Sequence, residues 1–225
     1  MGTFTGPNII EDNLIFAIDA GSTRSYPGSG TTVTDLSGSN DVTLSGVGFA
    51  TNNGGVFDYD GVDDQGTAGN FFNYQAFTIN LWVNPGSTQN QYADIIDNNH
   101  TSSQNWVLQQ NASVQNVYAF SAKGLSGTSS TPNFQLTAGD WVNLTFTYDG
   151  DKVRGYNNGV LFATGTSLAA INYSSQSFYI GRWGNGGAGS RTWEGEFGPL
   201  YCYDAVLTAA QILQNFNAQR SRFGL

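Results

Sequence analysis

Apolar and polar residues alternate along most of this chain in short runs, and Gly, Asn, Asp or Pro closes nearly every run. A period of two predicts strands that bury one face. Leu14-Ile-Phe-Ala-Ile-Asp19 is the first. Val56-Phe-Asp-Tyr-Asp60 alternates apolar with acidic until Gly61 breaks it. Phe77-Thr-Ile-Asn-Leu-Trp-Val83 puts Phe77, Ile79, Leu81 and Val83 on one face and stops at Pro85-Gly86. The runs 93–97, 106–109 and 117–120 follow. Trp141-Val-Asn-Leu-Thr-Phe-Thr-Tyr148 alternates strictly, with Val142, Leu144, Phe146 and Tyr148 together. Asp149-Gly150 and Asn157-Asn-Gly159 then turn the chain twice, which predicts a meander with 152–156 and 160–163. The runs 177–181 and 195–203 complete the set. A single helix is predicted near the C-terminus. Thr208 is its N-cap, Gln211 completes a capping box, and Ile212, Leu213 and Phe216 form an apolar stripe. The pattern therefore predicts an all-β, two-sheet antiparallel sandwich with one short C-terminal helix. No repeat, linker or charge run divides the 225 residues. One domain over 14–225 is expected, preceded by an extended arm over 1–13, where Pro7 sits among few apolar residues.

Composition narrows the function classes. Lys and Arg total 8 against 17 Asp and Glu, a net charge of -9. Nucleic-acid binding needs a basic footprint and is excluded. One Cys rules out a disulfide framework or a Cys-based zinc site, and one His rules out a multi-His metal site. Charged residues make up 11%, far below the roughly 25% of an average domain, so the surface is polar but weakly charged. Many extracellular or particle-borne β proteins have such a surface. No apolar run reaches the ~18 residues of a membrane-spanning helix, so no membrane partner is expected. The stretch Met1-Gly-Thr-Phe-Thr-Gly-Pro-Asn8 has neither the basic nor the apolar region of a signal peptide.

Several residue groups are candidates for chemistry. The segment Arg182-Trp-Gly-Asn-Gly-Gly-Ala-Gly-Ser-Arg-Thr-Trp193 brackets a Gly-rich stretch with two Arg and two Trp. Trp faces stack on sugars, and Trp and Arg anchor interfaces, so Arg182, Trp183, Arg191 and Trp193 are candidate ligand- or partner-binding residues. Calcium takes several oxygen ligands. Asp60 and Asp63, with Asp58 and Asp64, form one oxygen-rich cluster around Gly61; Asp94 and Asp97, with Asn98 and Asn99, form another. The competing reading of the first cluster is a turn whose Asp side chains accept from backbone N–H groups. Glu194 and Glu196 share a strand face, as a glycosidase pair would. Gly195 stands between them and Phe197 to Pro199 add no third acid, so no catalytic role is assigned and no enzyme is expected. His100, in a loop without a nucleophile motif, reads as a surface residue. Cys202 reads as a buried thiol.

With these segments in place, the chain resembles the laminin-G-like, concanavalin A-like jelly-roll domains common in bacteriophage and environmental viral structural proteins. The likeness rests on Leu14-Ile-Phe-Ala-Ile-Asp-Ala-Gly21 with Asp35-Leu-Ser-Gly38, on Phe57-Asp-Tyr-Asp-Gly-Val-Asp-Asp64, on 141–150 with Tyr156-Asn-Asn-Gly159, and on Tyr179-Ile-Gly-Arg182 running through Leu207-Thr-Ala-Ala-Gln-Ile212 to Arg222-Phe-Gly224. The resemblance implies two sheets of about six or seven strands, one of them concave. It also implies members that bind glycans, proteins or calcium at one rim, or that decorate particles. The resulting expectation is a virion structural protein, a capsid decoration or head-fibre component assembled in the host cytoplasm. Its partners would be capsid or other virion proteins, further copies of itself, and cell-surface glycans. The alternative is a lectin-like adhesin module. Calcium is the one cofactor the acidic clusters suggest. The fold itself hosts lectins, glycosidases and inert modules alike.

Overall fold

The computed structural model describes residues 7–186 and 191–225. Two antiparallel sheets enclose one core. From edge to edge, the first sheet runs Val160–Thr164, Val153–Asn157, Val142–Tyr148, Phe77–Pro85, Glu194–Tyr203, Val56–Asp60 and Gly48–Ala50, with Leu14–Ile18 also paired to Glu194–Tyr203. The second runs Gly127–Ser130, Val117–Gly124, Trp106–Gln110, Asp94–Asp97, Phe178–Ile180, Gln65–Ala68, Val42–Ser45 and Thr32–Val33, with Phe134–Gln135 beside Val117–Gly124.

The alternation read from the sequence is the alternation of the core. Phe77, Ile79, Leu81 and Val83, with Val142, Leu144, Phe146 and Tyr148, all point inward. The sheets meet through aromatic contacts such as Phe120 on Phe146, stacked at 4.6 Å. The sheets hold eight and nine strands rather than six or seven. The additional strands are two to four residues long, for example Thr32–Val33 and Gln65–Ala68. So short a run of small residues carries too little alternation to be read from sequence.

The helix Ala209–Gln219 begins as predicted. The Thr208 hydroxyl accepts from the Gln211 backbone N–H, and Gln211 reaches back to the Thr208 N–H, a cap worth about 1 kcal/mol. The helix and the turn after it cover the outer face of the first sheet. The Trp82 ring stacks on Phe216 at 5.8 Å and on Phe223 at 4.3 Å. Ile212 and Phe216 are buried, but Leu213, the third residue of the predicted stripe, is 43% exposed. The polar residues on the same sheet face are therefore buried too and bond to each other: the Asn80 amide donates to Asn143 Oδ1 at 3.0 Å and to Thr145 Oγ1 at 2.6 Å.

Of the proposed arm, residues 1–6 lie outside the described residues. Asn8 and Ile10 lie along this chain's own helix rather than reaching away from it. Gln214 donates to the Asn8 carbonyl, and the Ile10 N–H donates to Asn215 Oδ1 at 2.8 Å.

Candidate functional site

The strand Asp94–Asp97 carries a bulge. Asp94 pairs with Gln109, Ile96 with Leu108 and Asp97 with Val107, so Ile95 is the extra residue. Without the bulge, residues three apart would point to opposite faces. With it, Ile95 and Ile96 both enter the core, and Asp94 and Asp97 share the outer face of the second sheet. Both carboxylates are fully buried. His100 closes the group. Asp97 Oδ1 accepts from the His100 backbone N–H at 2.8 Å and lies 2.8 Å from Nδ1 of the same ring. His100 is only 7% exposed, so the surface placement expected from its loop is corrected: the Asp97 carboxylate draws the ring inward. Asp94 Oδ1 accepts from the Gln109 amide at 2.8 Å, while its Oδ2, 3.9 Å from His100 Nδ1, has no hydrogen-bond partner among the described residues. Burial, and then the Asp97 charge, push the Asp94 carboxyl well above the usual carboxylate range. Arg191 and Lys123 act in the opposite direction from a distance.

The loop that starts at Arg182 is fastened onto this cluster. Gly184 N–H donates to Asp97 Oδ2 at 2.8 Å, the Trp183 indole to the His100 carbonyl at 3.2 Å, and Asp94 N–H to the Arg191 carbonyl at 2.9 Å. Residues 187–190, the Gly-rich centre, lie outside the described residues. The Arg191 guanidinium lies 3.9 Å over the Trp183 ring and 5.2 Å from that of Tyr92, which is 41% exposed. Tyr92 borders a shallow cleft of about 280 Å³ lined by Gln109, Asn111, Asn133 and Ser121. Eight described residues other than glycine have positive φ. Six are Asn, which tolerates that conformation through local hydrogen bonds; the other two, Tyr92 (φ 59°) and Arg191 (φ 53°), touch each other. Strain held by bulky side chains concentrates at working sites.

The four candidate binding residues of the loop separate. Trp183 and Arg191 are half-buried at the surface. Trp193 is a correction. It is fully buried, its indole donates to the Tyr118 hydroxyl at 3.1 Å, and it packs near Tyr59, so it has no face for a ligand. Arg182, 7% exposed, is a correction of the same kind. Its guanidinium is spent inside, on Gln65 Oε1 at 2.9 Å and the Trp183 carbonyl at 3.1 Å. The cluster at Asp60, Asp63 and Asp64 forms as a turn with its ligand atoms within 4.8 Å of one another. Asp60 Oδ1 accepts from Val62 N–H at 2.7 Å, and Asp64 Oδ2 from Asp60 N–H at 2.8 Å. Glu194 and Glu196 line a separate cleft of about 590 Å³ with Asp58 and Asp60. Cys202 is buried, as read. Sequence reasoning missed His100, Tyr92 and Gln109 as members of the site, because the bulge that turns Asp94 and Asp97 to one face and the pairing of Asp94 with Gln109 leave no local pattern in the chain.

Residues 58–213 match the family model described as the concanavalin A-like lectin/glucanases superfamily. The chain belongs to that superfamily. No curated protein matches its sequence. Its fold is similar to the binding domain of botulinum neurotoxin DC in complex with SialylT, at 16% identity and TM-score 0.70 over 93% of this chain and 52% of that one. The same neurotoxin binding domain in complex with rat synaptotagmin II gives 18% identity and TM-score 0.71 over 93% and 52%. Domain 4 of AbnA, a GH43 extracellular arabinanase from Geobacillus stearothermophilus, in complex with arabinotriose, gives 16% identity and TM-score 0.69 over 91% of this chain and 98% of that one. The chain spans about half the length of the neurotoxin binding domains it matches. At these identities the likeness is one of fold. Membership fixes the jelly-roll sandwich and leaves the ligand to the residues of the site.

Proposed function

We propose that this superfamily member is a carbohydrate-binding module that works by binding, without turnover, and takes its glycan at Tyr92 and the adjoining cleft. The strained Tyr92–Arg191 contact carries the reading: two residues hold a costly backbone conformation while in contact, and Tyr92 stays 41% exposed. An exposed aromatic face beside amides and hydroxyls suits a sugar, which offers apolar C–H patches and a rim of hydroxyls. That similar folds were solved with an oligosaccharide and with SialylT supports the same class of ligand. The test is a glycan array followed by titration of the strongest ligand. Tyr92→Ala and Asn133→Ala should each weaken the dissociation constant about tenfold, a loss of about 1.4 kcal/mol. Unchanged binding in both variants, or no glycan retained by the wild type, would overturn the site.

A second reading, decoration of a virion assembled in the host cytoplasm, draws on one further observation. Val160, Leu161 and Phe162 are 66%, 49% and 39% exposed on the strand that ends the first sheet. An apolar edge strand is a surface for another chain, a capsid protein or a further copy. Quantitative peptide mass spectrometry of purified particles tests it: hundreds of copies per particle support it, and absence from the particles ends it. Neither reading gives calcium a role at the turn that holds Asp60, Asp63 and Asp64, where the Asp60 and Val62 N–H groups already occupy an oxygen of Asp64 and of Asp60.

A further inference from the structure

We propose that Asp94, Asp97 and His100 bind a divalent transition-metal ion, zinc in the first instance, beneath the loop that carries Trp183 and Arg191. Each of the three offers one ligand atom, a carboxylate oxygen of Asp94 and of Asp97 and a ring nitrogen of His100, all within 4.8 Å of one another. Donor atoms that surround a zinc ion at about 2.1 Å stand roughly 3–4 Å apart. The separations of 2.8 Å and 3.9 Å from His100 Nδ1 to the two carboxylates bracket that spacing, so small adjustments complete the shell.

Two buried atoms point to a ligand rather than to a closed hydrogen-bond network. Asp94 Oδ2, on a fully buried residue, lies 3.9 Å from His100 Nδ1 and has no hydrogen-bond partner among the described residues. Asn99 Oδ1, on a residue only 8% exposed, is likewise unpartnered and lies against Gly184, whose N–H binds Asp97 Oδ2. A buried carboxylate oxygen without a partner forfeits its hydration for nothing in return. The cations nearby, Arg191 and Lys123, act on Asp94 through space, and neither donates to that oxygen. An imidazole nitrogen among the donors selects against calcium, which takes oxygen ligands, and for zinc or a neighbouring first-row metal. The ion would take the Nδ1 lone pair and so select the Nε2–H tautomer of the neutral ring, whose single proton moves through solvent from Nδ1 to Nε2 with none released net.

The test uses the full chain, stripped with EDTA and dialysed against Zn²⁺, Mn²⁺ or Ca²⁺ alone. We expect one zinc per chain by elemental analysis, a raised Tm, and little retention of calcium. His100 is the only histidine. Its ring nitrogens can therefore be followed in the wild type by ¹⁵N NMR, and zinc should fix the Nε2–H tautomer with a shifted Nδ1 resonance. His100→Gln and Asp94→Asn should each weaken zinc binding at least tenfold, whereas Asp60→Asn with Asp63→Asn should leave it unchanged. An unperturbed His100 ring at saturating zinc overturns the proposal even if a variant fails to fold. So does affinity that survives both substitutions in the cluster. None of these readouts depends on a glycan.

Discussion

Asp94 and Asp97 on the second sheet and the set Asp58, Asp60, Glu194 and Glu196 on the first arise from one sequence device, acidic residues interleaved with apolar ones on strands. Their fates differ. On the first sheet Glu194 stands directly opposite Asp60, and Glu196 opposite Asp58. Like charges so placed repel, but here they face an open cleft, and water screens them. Glu196 also takes amide donors from Asn52 at 2.7 Å and Asn84 at 3.0 Å. On the second sheet a bulge and an overlying loop remove two carboxylates from water altogether and supply one imidazole, one glutamine amide and one glycine N–H. Four acids within reach of water, Asp58 and Asp60 exposed and Glu194 and Glu196 half-buried, make a polar wall. Two buried ones, incompletely paired, make a site. Desolvation, rather than the number of acids, draws the distinction.

The largest effect should come from the residue that links the two regions. Trp193 closes the loop over the second sheet, and its ring packs near Tyr59 beneath the acidic cleft. Trp193→Ala should cost about 3–5 kcal/mol in urea unfolding, whereas Trp183→Ala, half-buried near the other end of the same loop, should cost less. Asp97→Ala comes next, at about 3 kcal/mol, because it leaves buried donors on His100 and Gly184 unpartnered. The matching change in the other cluster, Asp60→Ala, should stay within about 0.5 kcal/mol. Equal costs for Asp97→Ala and Asp60→Ala would erase the contrast.

The smallest effect concerns protons. Partial burial, then Glu196, then Asp60, raise the Asp58 pKa above that of an ordinary aspartate. The folded chain therefore holds a proton on Asp58 over a pH window in which the unfolded chain has released it. The stability this contributes is complete below the unfolded value and is lost as pH rises through the folded one. Glu196→Gln removes one repelling charge, so the Asp58 pKa should fall and this pH dependence flatten, as followed by carboxyl NMR. An unchanged Asp58 titration would mean that the cleft charges do not sense each other.

The strands and helix were legible because each is decided locally. Phe77, Ile79, Leu81 and Val83 alternate whatever lies across from them, and Thr208 with Gln211 caps a helix wherever it docks. The candidate site was legible only in part. Trp183 and Arg191 stood out by type, but Trp193 did too, and nothing local tells a tryptophan that braces a core from one at the surface. His100 was misplaced for the complementary reason. Its loop reads as exposed, and only the Asp97 carboxylate and the covering indole of Trp183 bury it.

By itself the sequence determined the sandwich, its inward faces, the cap of its helix and its acidic net charge, because period, turn chemistry and net charge are properties of a segment or of a sum. The tertiary structure alone decided which polar residues leave water. A one-residue bulge at Ile95 turned two aspartates to one face, and a loop beginning almost ninety positions later, at Arg182, closed over them. Burial depends on what packs above a residue, and that cover comes from segments distant in the chain.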